Sequence, residues 1–133
     1  MIIDTSAVLA ILRDEPEARS CAEAIAQATT RRISAASFLE AAIVTDASHD
    51  PISSRRFDDL LKVADIVVEP VTEEQARRGR EAYRDFGKGS GHQAQLNFGD
   101  CFAYALAKVT GEPLLFKGDD FAQTDVTPAR GRS

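Results

Sequence analysis

The feature that most constrains this chain is the alternation of very short apolar runs with longer stretches of helical periodicity. Met1-Ile2-Ile3, Ile66-Val67-Val68 and Pro113-Leu114-Leu115-Phe116 are the clear runs, and Arg32-Ile33-Ser34-Ala35 is a weaker one. They are too short for helices and read as buried strands. Between the first two lie short helices, one from Ser6 to Leu12 and a second restarted by Asp14-Glu15-Pro16, with Ala18, Cys21, Ala22 and Ile25 as its stripe. A third helix carries Phe38, Leu39, Ala42 and Ile43 and stops at His49-Asp50-Pro51, and a fourth runs from Ser53 to Ala64. Thr72-Glu73-Glu74-Gln75 is a capping box that opens a helix to about Phe86. A glycine loop, 87–92, precedes a helix opened by Asn97-Phe98-Gly99-Asp100 and closed by Gly111. Val126 seeds a final edge strand, and 128–133 reads as a frayed tail.

Strands alternating with helices predict an α/β fold with a parallel sheet covered on both faces. In such sheets the ligand site lies beyond the carboxyl ends of the strands, where strand order reverses. The residues to scrutinise are therefore Asp4, the segment Ser37–Glu40, Asp100 and Asp119.

With 133 residues, the chain fits one domain, expected over 1–127, that buries a core without disulfide or metal staples. No apolar run approaches the roughly 20 residues that cross a bilayer, and Asp4 interrupts the opening run before it can resemble a signal peptide. Cys21 and Cys101 sit in helical apolar patterns, so a reduced, cytoplasmic protein is expected. The net charge of −5 argues against a general nucleic-acid coat, but not against an acidic site whose cations hold phosphate.

Each acid has a local explanation, because carboxylates at helix N-termini satisfy free N–H groups and the macrodipole. Ser37-Phe38-Leu39-Glu40 even matches a capping box with Glu40 at its third position. Together, however, three or four carboxylates at one sheet edge repel each other unless a cation sits among them. Hard oxygen ligands completed by water and phosphate suit Mg²⁺ or Mn²⁺, and a pair of such ions can clamp both oxygens of a phosphodiester displacement. Thr5 and Ser6 are placed either to bond a carboxylate or phosphate or to cap a helix.

Met1-Ile2-Ile3-Asp4-Thr5-Ser6-Ala7, Ser37-Phe38-Leu39-Glu40, Asn97-Phe98-Gly99-Asp100-Cys101 and Leu114-Leu115-Phe116-Lys117-Gly118-Asp119-Asp120-Phe121 together resemble PIN-domain ribonucleases, most closely the VapC toxins of type II toxin–antitoxin systems. The resemblance spans essentially the whole chain. It implies a Rossmann-like three-layer α/β/α sandwich, Mg²⁺-dependent endonucleolytic cleavage of RNA, a homodimer, and neutralisation by a VapB-type antitoxin in a higher assembly. It assigns Asp4, Glu40 and Asp100 to the acidic positions, with Asp4 and Asp100 as metal ligands. Many relatives place the fourth acid two residues before the final Asp-Phe; here that position is Gly118, so Asp119 is the expected substitute and Asp120 the residue that holds the loop.

Arg77, Arg80 and Arg84 fall on one helical stripe that Lys88 and His92 extend. It is either an RNA-phosphate surface or a solvated face with Glu73–Arg77 and Arg77–Glu81 pairs. Cys101 lacks an activating neighbour and is expected to be a buried thiol, and Tyr83 and Phe86 are expected in the core. His49 and His92 have no zinc-ligand spacing. The competing functions are a PIN-like RNA-processing nuclease without an antitoxin and a receiver-like phosphoacceptor domain. The receiver wants paired acids after the first strand and an acceptor Asp after a middle one; here Asp4 stands alone and Glu69-Pro70 follows Val68.

Overall fold

The computed structural model describes residues 1–130. Four parallel strands, β1 (Ile2–Ile3), β2 (Arg32–Ser34), β3 (Val67–Glu69) and β4 (Leu114–Leu115), lie in the order β3-β2-β1-β4. Ile2 is in register with Arg32 on one side and Leu114 on the other. Two helices link each of the three consecutive strand pairs: α1 (Thr5–Leu12) and α2 (Ala18–Gln27), α3 (Ala35–Asp46) and α4 (Pro51–Val63), then α5 (Glu73–Phe86) and α6 (Asp100–Thr110).

The two-residue period of the strands divides the core. Ile3, Ile33 and Leu115 face α1–α4, packing on Val8, Cys21, Ile25, Ala41 and Phe57. Ile2 and Leu114 face the other way, against Ala82 of α5 and Tyr104 and Leu106 of α6. Helices on both faces of an all-parallel sheet give the three-layer α/β/α sandwich that the alternation of elements predicts. Because β2 and β4 flank β1 and their connections cover opposite faces, the sheet's topological switch point lies at the carboxyl ends of β1 and β4.

Local structure departs from expectation at several points. Ser34, not Ser37, caps α3, its Oγ accepting from the Ala36 N–H at 3.3 Å. Glu40 therefore lies inside the helix and is not spent on a capping box. The box at Thr72 half-forms: Thr72 Oγ1 accepts from the Gln75 N–H at 3.2 Å, while the Gln75 amide donates to Pro70 O instead of reaching back. Tyr83 is 43% exposed, not in the core, because only Gln75, Gly79 and Ala82 of α5 are buried.

The expected frayed tail is also corrected in its first half. Leu114 donates to Thr127 O and Ala129 donates back to Leu114 O, extending the sheet edge beyond β4. Arg130 donates to Phe116 O and, at 2.9 Å, to Ser20 Oγ. The rest of that tail, 131–133, lies outside the described residues. The glycine loop is tied at its base, where Leu96 donates to Phe86 O and Lys88 to Leu96 O.

Candidate active site

Asp4 stands where β1 ends, and α1 starts on it. Its Oδ2 accepts from the Ser6 N–H at 2.9 Å and the Ser6 hydroxyl at 2.6 Å, so it caps the helix as its position suggests. Ser6 Oγ also accepts from the Lys117 N–H at 3.0 Å, joining the ends of β1 and β4 through one hydroxyl. Capping does not account for the depth of this carboxylate. Asp4 is 3% exposed, and it forms no ion pair among the described residues. Burial pushes its pKa up to about 7 against the pull of the Ser6 hydrogen bonds, and the charges of Asp100 and Glu40 raise it further.

Asp100 begins α6 in a reciprocal pair with Asn97. The Asp100 carboxylate accepts from the Asn97 N–H at 3.0 Å, and the Asn97 side-chain carbonyl accepts from the Asp100 N–H at 2.9 Å. One oxygen is thereby oriented and the other left for a ligand. Burial also raises the Asp100 pKa, with Asp120 and Glu40 adding repulsion and Lys88 opposing it. Glu40 reaches this group from α3 across Gly99: a Cβ on Gly99 would lie 2.5 Å from Glu40 Oε2. That close approach, and not backbone conformation, is what requires glycine there, since its φ is −63°.

The structure thus brings Asp4, Glu40 and Asp100 into mutual electrostatic reach at the switch point. Asp119, the expected fourth acid, stands in the turn after β4 directly before Asp120. The acid after β4 whose charge raises Asp100 is Asp120, and its side chain makes no capping bond to the short turn it precedes. Sequence reasoning also missed Asn97 as the residue that orients Asp100; the Asn-x-x-Asp spacing across a helix start was the available signal. Thr5 neither caps nor faces the acids, but donates to Ser37 O at 3.1 Å and ties α1 to α3.

Among the described residues no three acidic, imidazole or thiol groups form a ready-made cage for a metal ion. The donor set nevertheless fits a hard cation that keeps most of its water, because Mg²⁺ is commonly held by one or two carboxylates with phosphate oxygens completing the shell. A buried, capped but uncompensated carboxylate beside a second one is such a set. Cys101 is 8% exposed, and burial and the neighbouring Asp100 push its thiol up to about 11, which leaves it protonated and unreactive.

The basic stripe is partly self-satisfied. Arg77 pairs with Glu73 at 2.8 Å and Arg84 with Asp85 at 3.0 Å, whereas Glu81 takes Arg78 at 3.3 Å instead of Arg77. Arg80 has no ion pair among the described residues, and Lys88 is close enough to Asp100 for its charge to be felt there.

A PIN domain matches residues 1–126. Ribonuclease VapC28 of Mycobacterium tuberculosis is 59% identical over 132 residues, 99% of both chains. Ribonuclease VapC of Mycolicibacterium smegmatis is 50% identical over 126 residues, 95% of this chain and 97% of its own. Among solved structures, the M. tuberculosis toxin VapC20, described as cleaving the sarcin–ricin loop, superposes with a TM-score of 0.73 at 16% identity, covering 98% of each chain. A toxin–antitoxin complex from Klebsiella pneumoniae gives 0.69 at 18% identity, covering 91% of this chain and 89% of that one. At these identities the solved structures speak for the fold, and the sequence relatives carry the assignment: the chain belongs to the PIN-domain family, in its VapC branch.

Proposed function

We propose that this protein is a metal-dependent endoribonuclease, the toxic component of a toxin–antitoxin pair, that hydrolyses phosphodiester bonds of cellular RNA. The observation that carries the reading is the buried Asp4 carboxylate, without a cationic partner among the described residues and reached by the charges of Glu40 and Asp100 at the sheet's switch point. Its VapC relatives are named ribonucleases, which supports RNA as substrate.

Asp4 and Asp100 would hold Mg²⁺, with Mn²⁺ as a substitute. When bound, the ion supplies Lewis-acid polarisation of the phosphodiester and neutralises charge that builds on it. Ser6 fixes the Asp4 carboxylate and Asn97 that of Asp100, so neither must reorganise when a ligand arrives. Glu40, exposed and without a hydrogen bond among the described residues, accepts the proton of the attacking water at its carboxylate. Asp120 completes the acidic set in place of Asp119. Arg80 and Lys88, with Arg77 and Arg84 behind them, hold the flanking phosphates.

The partner is a cognate VapB-type antitoxin, in line with the toxin–antitoxin complex among the structural neighbours. Leu39 and Ile43, exposed on one face of α3, support self-association as a homodimer and a larger assembly with the antitoxin. No helix among the described residues is long and apolar enough to cross a membrane, and the site of action is taken to be the cytoplasm.

The test is RNA cleavage with saturating Mg²⁺ or Mn²⁺, with EDTA, and in Asp4→Asn and Asp100→Asn, which keep shape and remove one anionic ligand each. Cleavage should vanish with EDTA and in both variants while the fold persists. Full activity in either variant would remove the metal-site assignment.

A further inference from the structure

An apolar groove of about 320 Å³ opens between α5 and the start of α6, and Phe98 and Cys101, which line it, stand on either side of Asp100 in the chain. Its walls are Ala76, Gly79 and Tyr83 on one side and Phe98 and Phe102 on the other, with Arg80 at the rim. Phe98 is 76% exposed, an unusual position for a large aromatic ring in a chain with so compact a core. An edge-to-face contact with Phe102, at 5.0 Å and 90°, fixes its orientation without covering it. Gly79 sets the floor: a Cβ there would meet Cys101 O at 3.4 Å, an ordinary contact, so the missing side chain deepens the groove and is not forced by the helix packing.

We propose that this groove is a base-stacking subsite, which takes one unpaired RNA base adjacent to the scissile phosphate. The proposal rests on the ribonuclease reading above and adds what selects the bond to be cut. Aromatic walls offer faces on which any nucleobase can stack. At the rim, Arg80 is the one arginine of α5 without an ion pair among the described residues, while Arg77, Arg78 and Arg84 each have a carboxylate partner. A guanidinium left unpaired beside an aromatic slot complements a nucleotide, supplying a cation to its phosphate or a plane to its base. A partner helix would need a longer apolar seam than the one that Ala76, Gly79, Tyr83, Phe98 and Phe102 form here.

The turn that carries Phe98 is also the turn that orients Asp100 through Asn97. A base seated against Phe98 therefore sets which phosphate comes to lie over the acids. The groove acts as a ruler measured from the cleavage centre, and Phe98 is a positioning residue.

The experiment uses the Mg²⁺-loaded protein and single-stranded oligoribonucleotides in which one abasic position is walked past the cleavage site. Removing the base that flanks the scissile bond should cost wild type about tenfold or more in kcat/KM, expressed mainly in KM. Phe98→Ala should lose a similar factor on intact RNA and nothing further on that abasic RNA. Phe98→Leu, which keeps apolar bulk and loses the ring face, should behave in the same way. A merely structural role would lower cleavage of intact and abasic RNA equally, and that result overturns the proposal. So does unchanged cleavage in both variants, or a loss that tracks conversion of a dimer to a monomer in solution, which makes the groove a contact between copies. Binding of oligonucleotides carrying 2-aminopurine separates this proposal from the ribonuclease reading. Fluorescence quenched in wild type and restored in Phe98→Ala supports the subsite even if no cleavage is seen, and quenching equal in both overturns it.

Discussion

Asp4 concentrates the physical tension of the molecule in one side chain. Its pKa of about 7 in the folded protein lies above the ordinary 3.8. Between those values the folded state binds a proton that the unfolded state has released, so stability falls as pH rises and the loss is complete above about 7. The shift of roughly three units sets an upper limit on the order of 4 kcal/mol for this term. Asp4→Asn keeps an oxygen to accept from the Ser6 N–H and removes the charge. It should therefore melt higher than wild type at pH 8, with the difference shrinking towards pH 4. Added Mg²⁺ should stabilise wild type at pH 8, do less at pH 5, and leave Asp4→Asn unmoved; thermal melts at the three conditions decide it. Gly99 gives a complementary prediction. Alanine suits its helical φ of −63°, so Gly99→Ala should hold or slightly raise the melting temperature, yet its Cβ would displace the Glu40 carboxylate from 2.5 Å. Misplacing a reacting group by about 1 Å costs about 10²-fold, so cleavage should fall by that order in a protein that is no less stable. Wild-type activity in Gly99→Ala would release Glu40 from the reaction.

At the scale of elements, α5 shows how much a helix face conceals from its sequence. The i, i+3, i+7 spacing of Arg77, Arg80 and Arg84 is plain in the sequence, but the partners of each arginine are not, because neighbouring acids compete for them. Exposed pairs such as Arg77–Glu73 are worth about 0–1 kcal/mol and yield to a phosphate only at that cost. Arg80 pays no such cost, so Arg80→Gln should reduce the slope of log affinity for single-stranded RNA against log salt by about 0.7, more than Arg77→Gln or Arg84→Gln. Equal small changes at all three would return α5 to a solvated face. The same logic explains what was legible elsewhere. The strands and the order of the helices could be read because burial imposes its period on the sequence, as Ile2 and Ile3 show by facing opposite cores. The start of α3 could not, because Ser34 and Ser37 are both competent caps and the choice depends on where β2 releases the chain. Asp4, Glu40 and Asp100 were visible as acids at the expected edge. The sequence does not distinguish Asp119 from Asp120, since adjacent loop residues differ only in where the turn after β4 points them.

The whole molecule couples these parts through the sheet's switch point, where β1 and β4 end side by side and α3 and α6 contribute their acids. In the absence of a cation this edge is a concentrated anionic pocket, with Lys88 the cation that reaches Asp100. A guanidinium suits such a pocket almost as well as a metal, because its planar fork engages carboxylates in pairs and it does not lose its charge. Leu9 and Ile11, half-buried on α1 directly after Asp4, offer an apolar seat for an amphipathic helix that leaves the exposed face of α3 to self-association. An antitoxin tail that lays its apolar face on α1 and extends an arginine to Asp4 and Asp100 would occupy the place of Mg²⁺ and block the centre without unfolding anything. Inhibition by such a tail peptide should then weaken as Mg²⁺ rises, since two ligands compete for the same carboxylates. Changing its arginine to alanine should abolish that competition while leaving residual binding through the apolar face. Titrations of both peptides at several Mg²⁺ concentrations distinguish the possibilities. Inhibition indifferent to both the arginine and the metal would mean that the antitoxin acts away from the acids, by covering the RNA path or by separating the copies of the toxin.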